Sequence, residues 1–379
     1  MKSNDAEEPH GDPPGKEPTT NGDNDSVGEV VERVADAPEV TKVTTFGLRS
    51  GDFPAYVSHL LGGKWDHLFQ NITIRNPNKS KQTVVLSGAL AGYTKTPATG
   101  TVKLDPGQEV SGWFDAALDF EALDKITSPV TASIELKLTT QEGKVLFAST
   151  KPTRVLPKNT VIWKDFFRAS HPTSLGLGFL EMKIAALSLT TPHDGWGEID
   201  KLLHEAATYS TYKSISGYAA YHKADSTLDQ DQAGFADQVG SIWSALKARG
   251  FNYTNVPQNF FAASQNVRYP AESLRVTTGN CIDGTLVLAS VLEAIGMEPF
   301  INYVPGHAFV GAHLAPKGSP NYGYYAIIET TMLGTSSFAD ATMTGLREYN
   351  QNKNAGTLVT FEVSEGRAEG YLPSPFPLR

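Results

Sequence analysis

Residues 277–284 read TTGNCIDG and contain the only cysteine of the 379-residue chain. Asn280 is a favourable N-cap residue, and Asp283 follows three positions later, where a carboxylate can accept hydrogen bonds from free amides of the first turn. The apolar run that comes next stops at Gly296, a typical helix terminator. This pattern predicts a buried helix that carries the Cys281 thiol in its first turn.

Two polar residues further along the chain are candidate partners of this thiol. Residues 299–304 and 307–314 are predicted strands joined by a Pro-Gly turn, and His307 begins the second of them. A third predicted strand ends at Glu329. The positive end of a helix dipole favours thiolate, and a free amide there can donate to an oxyanion. Cysteine, histidine and acid in this order are typical of a thiol nucleophile with its base and orienting carboxylate.

Other interpretations of these residues stay open. A lone cysteine is often a small buried hydrophobic residue. His313 shares strand parity with His307 and is a rival base. Asp340 is a rival orienting carboxylate, although its Ser/Ala/Asp/Thr surroundings are typical of a loop or a helix start. Glu329 itself could cap a strand or pair with a basic residue.

The chain divides into three parts by composition. Residues 1–40 carry eleven acidic and three basic side chains, a net charge of −8 that leaves −1 of the total −9 for the rest. Because they hold few large apolar residues, they predict a disordered acidic tail. Short alternating segments with turn residues between them predict an immunoglobulin-like β-sandwich over 41–160. From 161 to 379 the pattern is mainly helical until the cysteine, histidine and acid motifs.

Within these parts, several local features have simple interpretations. A helix is predicted over 198–207, and a second over 235–249, closed by Gly250. The polar residues 224–233 between them predict an exposed connection. His59 and His67 lie among apolar and loop residues and are interpreted as structural histidines.

Composition and motifs argue against several classes of protein. A nearly neutral folded part provides no field for nucleic acid or an anionic membrane, and no apolar run approaches the length of a membrane span. A nucleotide-binding glycine loop, a His-Glu-x-x-His motif and a multi-thiolate zinc site are all absent from the sequence, so neither cofactor nor metal is expected. With no signal peptide visible, a cytoplasmic location is expected, while export by another route and the oligomeric state stay open.

The motifs together resemble the transglutaminase-like superfamily, in its bacterial branch with a papain-like core. The resemblance rests on residues 279–283, the helix ending at Gly296, the Gly-His-Ala-Phe-Val segment 306–310, and residues 329–331. It implies an α+β fold in which a cysteine-bearing helix packs on an antiparallel sheet, preceded by the all-β sandwich. The family more often has Asp in the third place, in a strand with Trp; this chain has Glu and no Trp there.

By this resemblance Cys281 would be the nucleophile, His307 the base and acid, and Glu329 the orienting carboxylate. The family also often uses a side-chain oxyanion donor upstream of the cysteine, for which Gln265 is the candidate and Gln258 the alternative. The implied chemistry is acyl transfer through a thioester, most simply that of a cysteine protease or amidase acting on a protein or peptide. A transamidating crosslinker and a non-catalytic interaction protein with a vestigial triad are the alternatives.

Overall fold

The fold is described from a computed structural model, which covers residues 27–45, 52–55, 68–114, 116–161, 183, 186–254 and 265–374. Helices and mainly antiparallel sheets are both present, so the predicted α+β class is confirmed. No helix among the described residues is both long enough and apolar enough to cross a membrane. The predicted structural histidines His59 and His67 lie outside the described residues.

The first part of the described chain consists almost entirely of strands. The elements are β1 (Glu29–Arg33), β2 (Glu39–Thr45), β3 (Asp52–Pro54), β4 (Phe69–Arg75), β5 (Gln82–Leu90), β6 (Thr94–Thr96), β7 (Ala98–Leu104), β8 (Glu109–Phe114), β9 (Ala117–Leu118), helix α1 (Phe120–Asp124), β10 (Val130–Thr139), β11 (Val145–Leu156) and β12 (Thr160–Val161). One sheet has the order β1-β11-β10-β5-β7, with β3 also paired to β11, a second has the order β2-β4-β8, and β6 pairs with β9.

The second part mixes helices with short strands and one four-stranded sheet. Its elements are α2 (Glu198–Ala206), α3 (Tyr218–Tyr221), α4 (Leu228–Ala248), β13 (Asn252–Tyr253), β14 (Gln265–Asn266), α5 (Pro270–Val276), β15 (Thr278–Gly279), α6 (Cys281–Ala294), β16 (Pro299–Val304), β17 (His307–His313), β18 (Tyr325–Ile328), the 3₁₀ turn Thr330–Met332, α7 (Phe338–Ala355), β19 (Val359–Glu362) and α8 (Val363–Ala368).

The strands of the first part enclose one core. Alternate residues of β5 and β10 point inward, and side chains from both larger sheets, such as Ile72 and Leu136, pack in the same buried cluster. This alternation arises because successive side chains of a strand point to opposite faces. The described strands of the region predicted as a β-sandwich over 41–160 therefore lie in a two-layer arrangement, and its immunoglobulin-like character stays a prediction.

The predicted tail over residues 1–40 is wrong for its last part. Strand β1 pairs with β11, and β2 pairs with β4, although both begin before residue 40. Glu39 is buried, and its carboxylate accepts a hydrogen bond of 2.7 Å from Arg75. The acidic composition concealed these strands, because it does not show that the charge of Glu39 is paired across the sheet with Arg75. Residues 1–26 lie outside the described residues.

A second core lies under the four-stranded sheet, whose order is β18-β17-β16-β19. Helix α6 packs on β17 and β16, and its residues belong to this core together with those of α2 and α4. The first core ends at Val155 and the second begins at Val161, with the short stretch between them at the place where the sequence suggested a junction. The domain boundaries themselves stay a prediction.

Helix α4 begins earlier than the apolar periodicity predicts. Thr227 and Gln230 form a capping box, so the helix starts at Leu228, inside the predicted exposed connection 224–233. Asp231 is fully buried and accepts a hydrogen bond of 2.8 Å from the Asn321 amide. The predicted connection is therefore wrong from Leu228 onward, where the chain is helical, because a polar capping box and not apolar spacing starts the helix.

Helix α7 approaches the sheet unusually closely at one position. A Cβ atom on Gly345 would lie 2.9 Å from the Ile327 carbonyl and 3.0 Å from the Glu329 amide nitrogen. The amide of Glu329 also donates a hydrogen bond of 3.1 Å to the carbonyl of Ala341, one turn earlier in the helix. Glycine is therefore required for the helix backbone to lie against the end of β18.

We expect Gly345→Ala to lower the free energy of unfolding by about 1–3 kcal/mol, because the added methyl group forces the helix away from the strand. Chemical denaturation measures this change. Gly240→Ala is the matched control in a helix interior, since its Cβ would meet Phe338 at an ordinary 3.4 Å. That control should be neutral or stabilising by about 0.5–1 kcal/mol. Equal losses for the two variants would contradict the close packing.

Candidate active site

Cys281 is the first residue of α6, as the sequence predicts. The Asn280 side chain accepts from the Asp283 amide at 3.0 Å, and the Asp283 carboxylate accepts from the Asn280 amide at 3.1 Å. This is the predicted capping box, and the helix stops just before Gly296. Residues 281–292 of the helix are all buried, and the cysteine itself is 5% exposed. The thiol is therefore held at a fixed helix N-terminus.

Asp283 connects this N-terminus to the chain before it. Its second carboxylate oxygen accepts a hydrogen bond of 3.0 Å from the Arg268 amide. Burial raises the pKa of Asp283, while the hydrogen bonds from the Arg268 and Asn280 amides act against that rise. Each bond that this carboxylate accepts fixes the first turn relative to residues 265–268.

The carbonyl of Cys281 is held by two hydroxyl groups. Thr285, one turn later, donates to it at 2.7 Å, and Thr330 donates to it at 3.2 Å from the 3₁₀ turn. Gly284 allows this approach, because a Cβ there would lie 3.2 Å from the Thr330 side chain. Since Thr330 directly follows Glu329, the backbone of the cysteine is fixed relative to the acid.

His307 begins β17 directly after Gly306, whose φ of 78° makes the predicted turn from β16. Its Nε2 donates a hydrogen bond of 2.8 Å to Oε2 of Glu329. The Cys281 side chain lies close enough to the same ring to raise its pKa as a hydrogen-bonding and charged neighbour. The structure thus brings together the three residues that the sequence singled out, with the imidazole between thiol and carboxylate.

The Glu329 carboxylate is almost fully enclosed by its partners. It stands at the end of β18, where its other oxygen, Oε1, accepts from the Thr331 amide at 2.9 Å and from the Thr331 hydroxyl at 2.7 Å. Burial raises the pKa of Glu329, but the hydrogen bond and charge of His307 and the bonds from Thr331 outweigh it, so the pKa is lowered. The acid is therefore an ionised, oriented partner of the imidazole.

The proton of this group resides on the histidine. Burial lowers the pKa of His307, but the thiol hydrogen bond, the Glu329 hydrogen bond and the negative charges of both groups raise it to about 10. A raised pKa means that the imidazolium is present below about pH 10 and is lost as the pH rises through that value. At neutral pH the ring is thus a proton donor.

The other sequence candidates lie elsewhere. His313 is at the opposite end of β17, stacked on Tyr322, with its Nδ1 bonded at 2.7 Å to the Tyr322 carbonyl. Asp340 lies in the first turn of α7 and hydrogen-bonds with the N-cap Ser337. Gln265 is buried in β14, paired with β12, and its predicted oxyanion role stays a prediction. The alternative Gln258 lies outside the described residues.

Two neighbours of the site were missed by the sequence analysis. Tyr253 on β13 pairs with Gly279, and burial and the negative charges of Cys281 and Glu329 raise the pKa of its phenol. Glu348 on α7 lies with its Oε2 at 3.8 Å from the Nε2 of His307. Neither position has a local motif. For Glu348, the only signal in the sequence is the helical spacing of Ala341, Gly345 and Glu348.

A metal ion has one conceivable location among the described residues. Ligand atoms of His307, Glu329 and Glu348 lie within 4.8 Å of one another. Because Glu329 already accepts a hydrogen bond from the Nε2 of His307, an ion there would displace this hydrogen bond and occupy the imidazole nitrogen. The hydrogen bond between His307 and Glu329 therefore competes with metal binding at this place.

A cleft of about 600 Å³ lies where the two parts of the chain meet. Asp124 and Thr127 of the strand-rich part form one wall, and Trp196, Arg268 and Arg275 are among the residues opposite. Arg275 stacks over the Trp196 ring at 4.1 Å. The cleft is connected to the cysteine through Arg268, whose amide is bonded to Asp283 in the first turn of α6.

Comparisons with known proteins give low similarity. No protein-family model and no curated protein matches the chain. A solved structure described as "a Putative Cysteine Protease from Cytophaga hutchinsonii" is 11% identical over 77% of this chain and 83% of its own, with a TM-score of 0.21. A "putative protease" from Parabacteroides distasonis is 13% identical over 75% of this chain and 43% of its own, with a TM-score of 0.22.

A FixG-related protein from Vibrio parahaemolyticus is 18% identical over 23% of this chain and 75% of its own, with a TM-score of 0.18. TM-scores this low do not establish a shared fold with any of the three. The function proposed below therefore rests on the site itself.

Glu329→Gln should lower the pKa of His307 by at least about one unit, because a neutral amide removes the negative charge beside Nε2. Titration of the histidine Cε1 resonances by NMR measures it. Glu362→Gln is the matched control at the other end of β17, where burial lowers and the Glu362 hydrogen bond and charge raise the pKa of His313. That control should lower the pKa of His313 alone. An unchanged His307 pKa in Glu329→Gln would contradict the assigned ion pair.

Proposed function

We propose that this protein is a thiol acyl-transfer enzyme, a cysteine protease or amidase with a papain-like core of the transglutaminase-like kind. The observation that carries the proposal is the contact of one imidazole with both the Cys281 thiol and the Glu329 carboxylate. A structural cysteine in a core needs neither a protonated histidine nor a buried, multiply bonded acid. An activated thiol nucleophile typically has an adjacent imidazole and a third group that orients this imidazole.

In the proposed reaction, the Cys281 sulfur attacks the carbonyl carbon of an amide, and the carbonyl oxygen becomes an oxyanion. Free amides at the start of α6 stabilise this charge, with Gln265 as the proposed side-chain donor. His307 gives its proton to the amide nitrogen, the C–N bond breaks, and an amine leaves behind a thioester. Water then attacks the thioester carbon while His307 takes a proton from that water. The C–S bond breaks, the carboxylic acid product departs, and the Cys281 thiolate is restored.

Glu329 has the role of keeping the ring in one orientation and stabilising the imidazolium. Its two oxygens are used by His307 and Thr331, so the carboxylate has no rotational freedom. Glutamate has one more methylene group than the aspartate common in the resembled family. The longer side chain is accommodated because Thr331, in the 3₁₀ turn that follows, hydrogen-bonds the Glu329 carboxylate.

The strand-rich part is proposed to position a protein substrate. It supplies one wall of the 600 Å³ cleft, and the opposite wall includes Arg268, whose amide holds the first turn of α6. We take the division as a sandwich unit predicted over 41–160, here extended back to β1, and a catalytic unit over 161–379. A protein or peptide is the proposed partner because a small amide would not need this second unit.

Cys281 should react with iodoacetamide at about pH 6 at least roughly tenfold faster in the wild type than in His307→Asn, because imidazolium and helix N-terminus stabilise thiolate. Mass spectrometry of the alkylated chain measures the rate. His313→Asn is the matched control and should react like the wild type. Equal rates in wild type and His307→Asn would leave Cys281 as a structural residue and favour a non-catalytic interaction protein.

Hydrolysis and transamidation are separated by a second measurement. The protein is incubated with unfolded casein, a protein rich in glutamine, and a fluorescent primary amine. We expect peptide cleavage that is lost in Cys281→Ser, without amine incorporation, since no second-substrate site is apparent among the described residues. Amine incorporation without cleavage would instead identify a crosslinking transamidase.

A further inference from the structure

Glu348 is a second carboxyl group beside the imidazole. It projects from α7, on the side of the ring where Glu329 also lies, and its Oε2 is 3.8 Å from the Nε2 of His307. Atoms of all three side chains lie within 4.8 Å of one another. Its side chain is 29% exposed, compared with 4% for Glu329. The imidazole thus faces two acids, of which the sequence singled out one.

The packing of α7 fixes the position of Glu348. Ala341, Gly345 and Glu348 follow one another at helical spacing and share the face that meets the end of β18. The Ala341 carbonyl accepts a hydrogen bond from the Glu329 amide. At Gly345 the helix backbone lies so close that a Cβ atom would meet the same amide nitrogen. The helix is therefore anchored on the backbone of Glu329, one turn before it presents Glu348.

Two adjacent carboxyl groups cannot both be ionised at low cost in a partly buried site. Burial raises the pKa of Glu348, the charge of His307 lowers it, and the hydrogen bond and charge of Glu329 raise it, so that it ends above its ordinary value. For Glu329 the pKa is lowered. The opposite directions put the shared proton on Glu348 and the negative charge on Glu329, where His307 needs it.

We propose that Glu348 is a positioning residue that hydrogen-bonds the Glu329 carboxylate, holds it against His307, and takes its place as the partner of the imidazole when Glu329 is substituted by a neutral residue. This role rests on the proposed function of Cys281 and His307. The groups that face Glu348 are His307 from β17 and Glu329 after β18. Cys281 of α6 lies beyond the ring, and Tyr253 of β13 lies near Cys281 and Glu329.

A double-mutant cycle tests this role through the pKa of His307, measured by NMR. Glu348→Gln in the wild-type background keeps a hydrogen-bond donor toward Glu329 and should lower the pKa by less than about half a unit. In the Glu329→Gln background the same substitution removes the last carboxylate and should lower it by about one unit or more. Asp340→Asn, at an exposed acid of the same helix, should change nothing in either background.

The iodoacetamide rate of Cys281 at about pH 6 gives a second readout. Glu329→Gln with Glu348→Gln should be roughly tenfold slower than Glu329→Gln alone, while Glu348→Gln alone should be within about threefold of the wild type. Equal effects of Glu348→Gln in both backgrounds, on the pKa and on the rate, would overturn the inference. Because neither readout needs turnover, this failure is distinguishable from a failure of the proposed function, which is decided by casein cleavage.

Discussion

The burial of helix α6 is the constraint around which the rest of the site is arranged. Residues 281–292 are enclosed on all sides, so the helix cannot rotate or slide without opening the second core. The position of its first residue is consequently as fixed as that of any core side chain. A reactive thiol gains from this, because its partners can be placed to a fraction of an ångström only against a rigid reference. The hydroxyls of Thr285 and Thr330 on the Cys281 carbonyl extend the same rigidity to the acid.

The charges of the site are maintained by its hydrogen-bonded partners, against the effect of its low exposure. One imidazolium lies among a thiol and two carboxyl groups, and burial alone would discharge it. It stays protonated because Glu329 is ionised beside it, and Glu329 stays ionised because His307 and Thr331 hydrogen-bond both of its oxygens. A second ionised carboxylate at this place would be costly, which is why the neutral form of Glu348 is the better neighbour. His307 thus carries the proton that it shares with Glu329, and Glu348 carries the proton between the two carboxyl groups.

The sequence predicted those parts of the molecule that depend on local chemistry. The Asn280–Asp283 capping box, the helix end before Gly296 and the hairpin before His307 could be predicted because each is determined by neighbours within a few residues. Glu348 could not, because its role depends on how closely α7 packs on β18. Similarly, strand β2 and the first turn of α4 are stabilised by partners distant in sequence, such as Arg75 for Glu39 and Asn321 for Asp231.

The central claim is that Cys281 and His307 form a thiolate–imidazolium pair in the resting protein. The ultraviolet absorbance of thiolate, taken as the difference between the wild type and Cys281→Ser at about neutral pH, measures it most directly. The account predicts a thiolate signal in the wild type that is lost when His307 is replaced by Asn at the same pH. The absence of a thiolate signal in the wild type, or a signal that persists undiminished in His307→Asn, would contradict it.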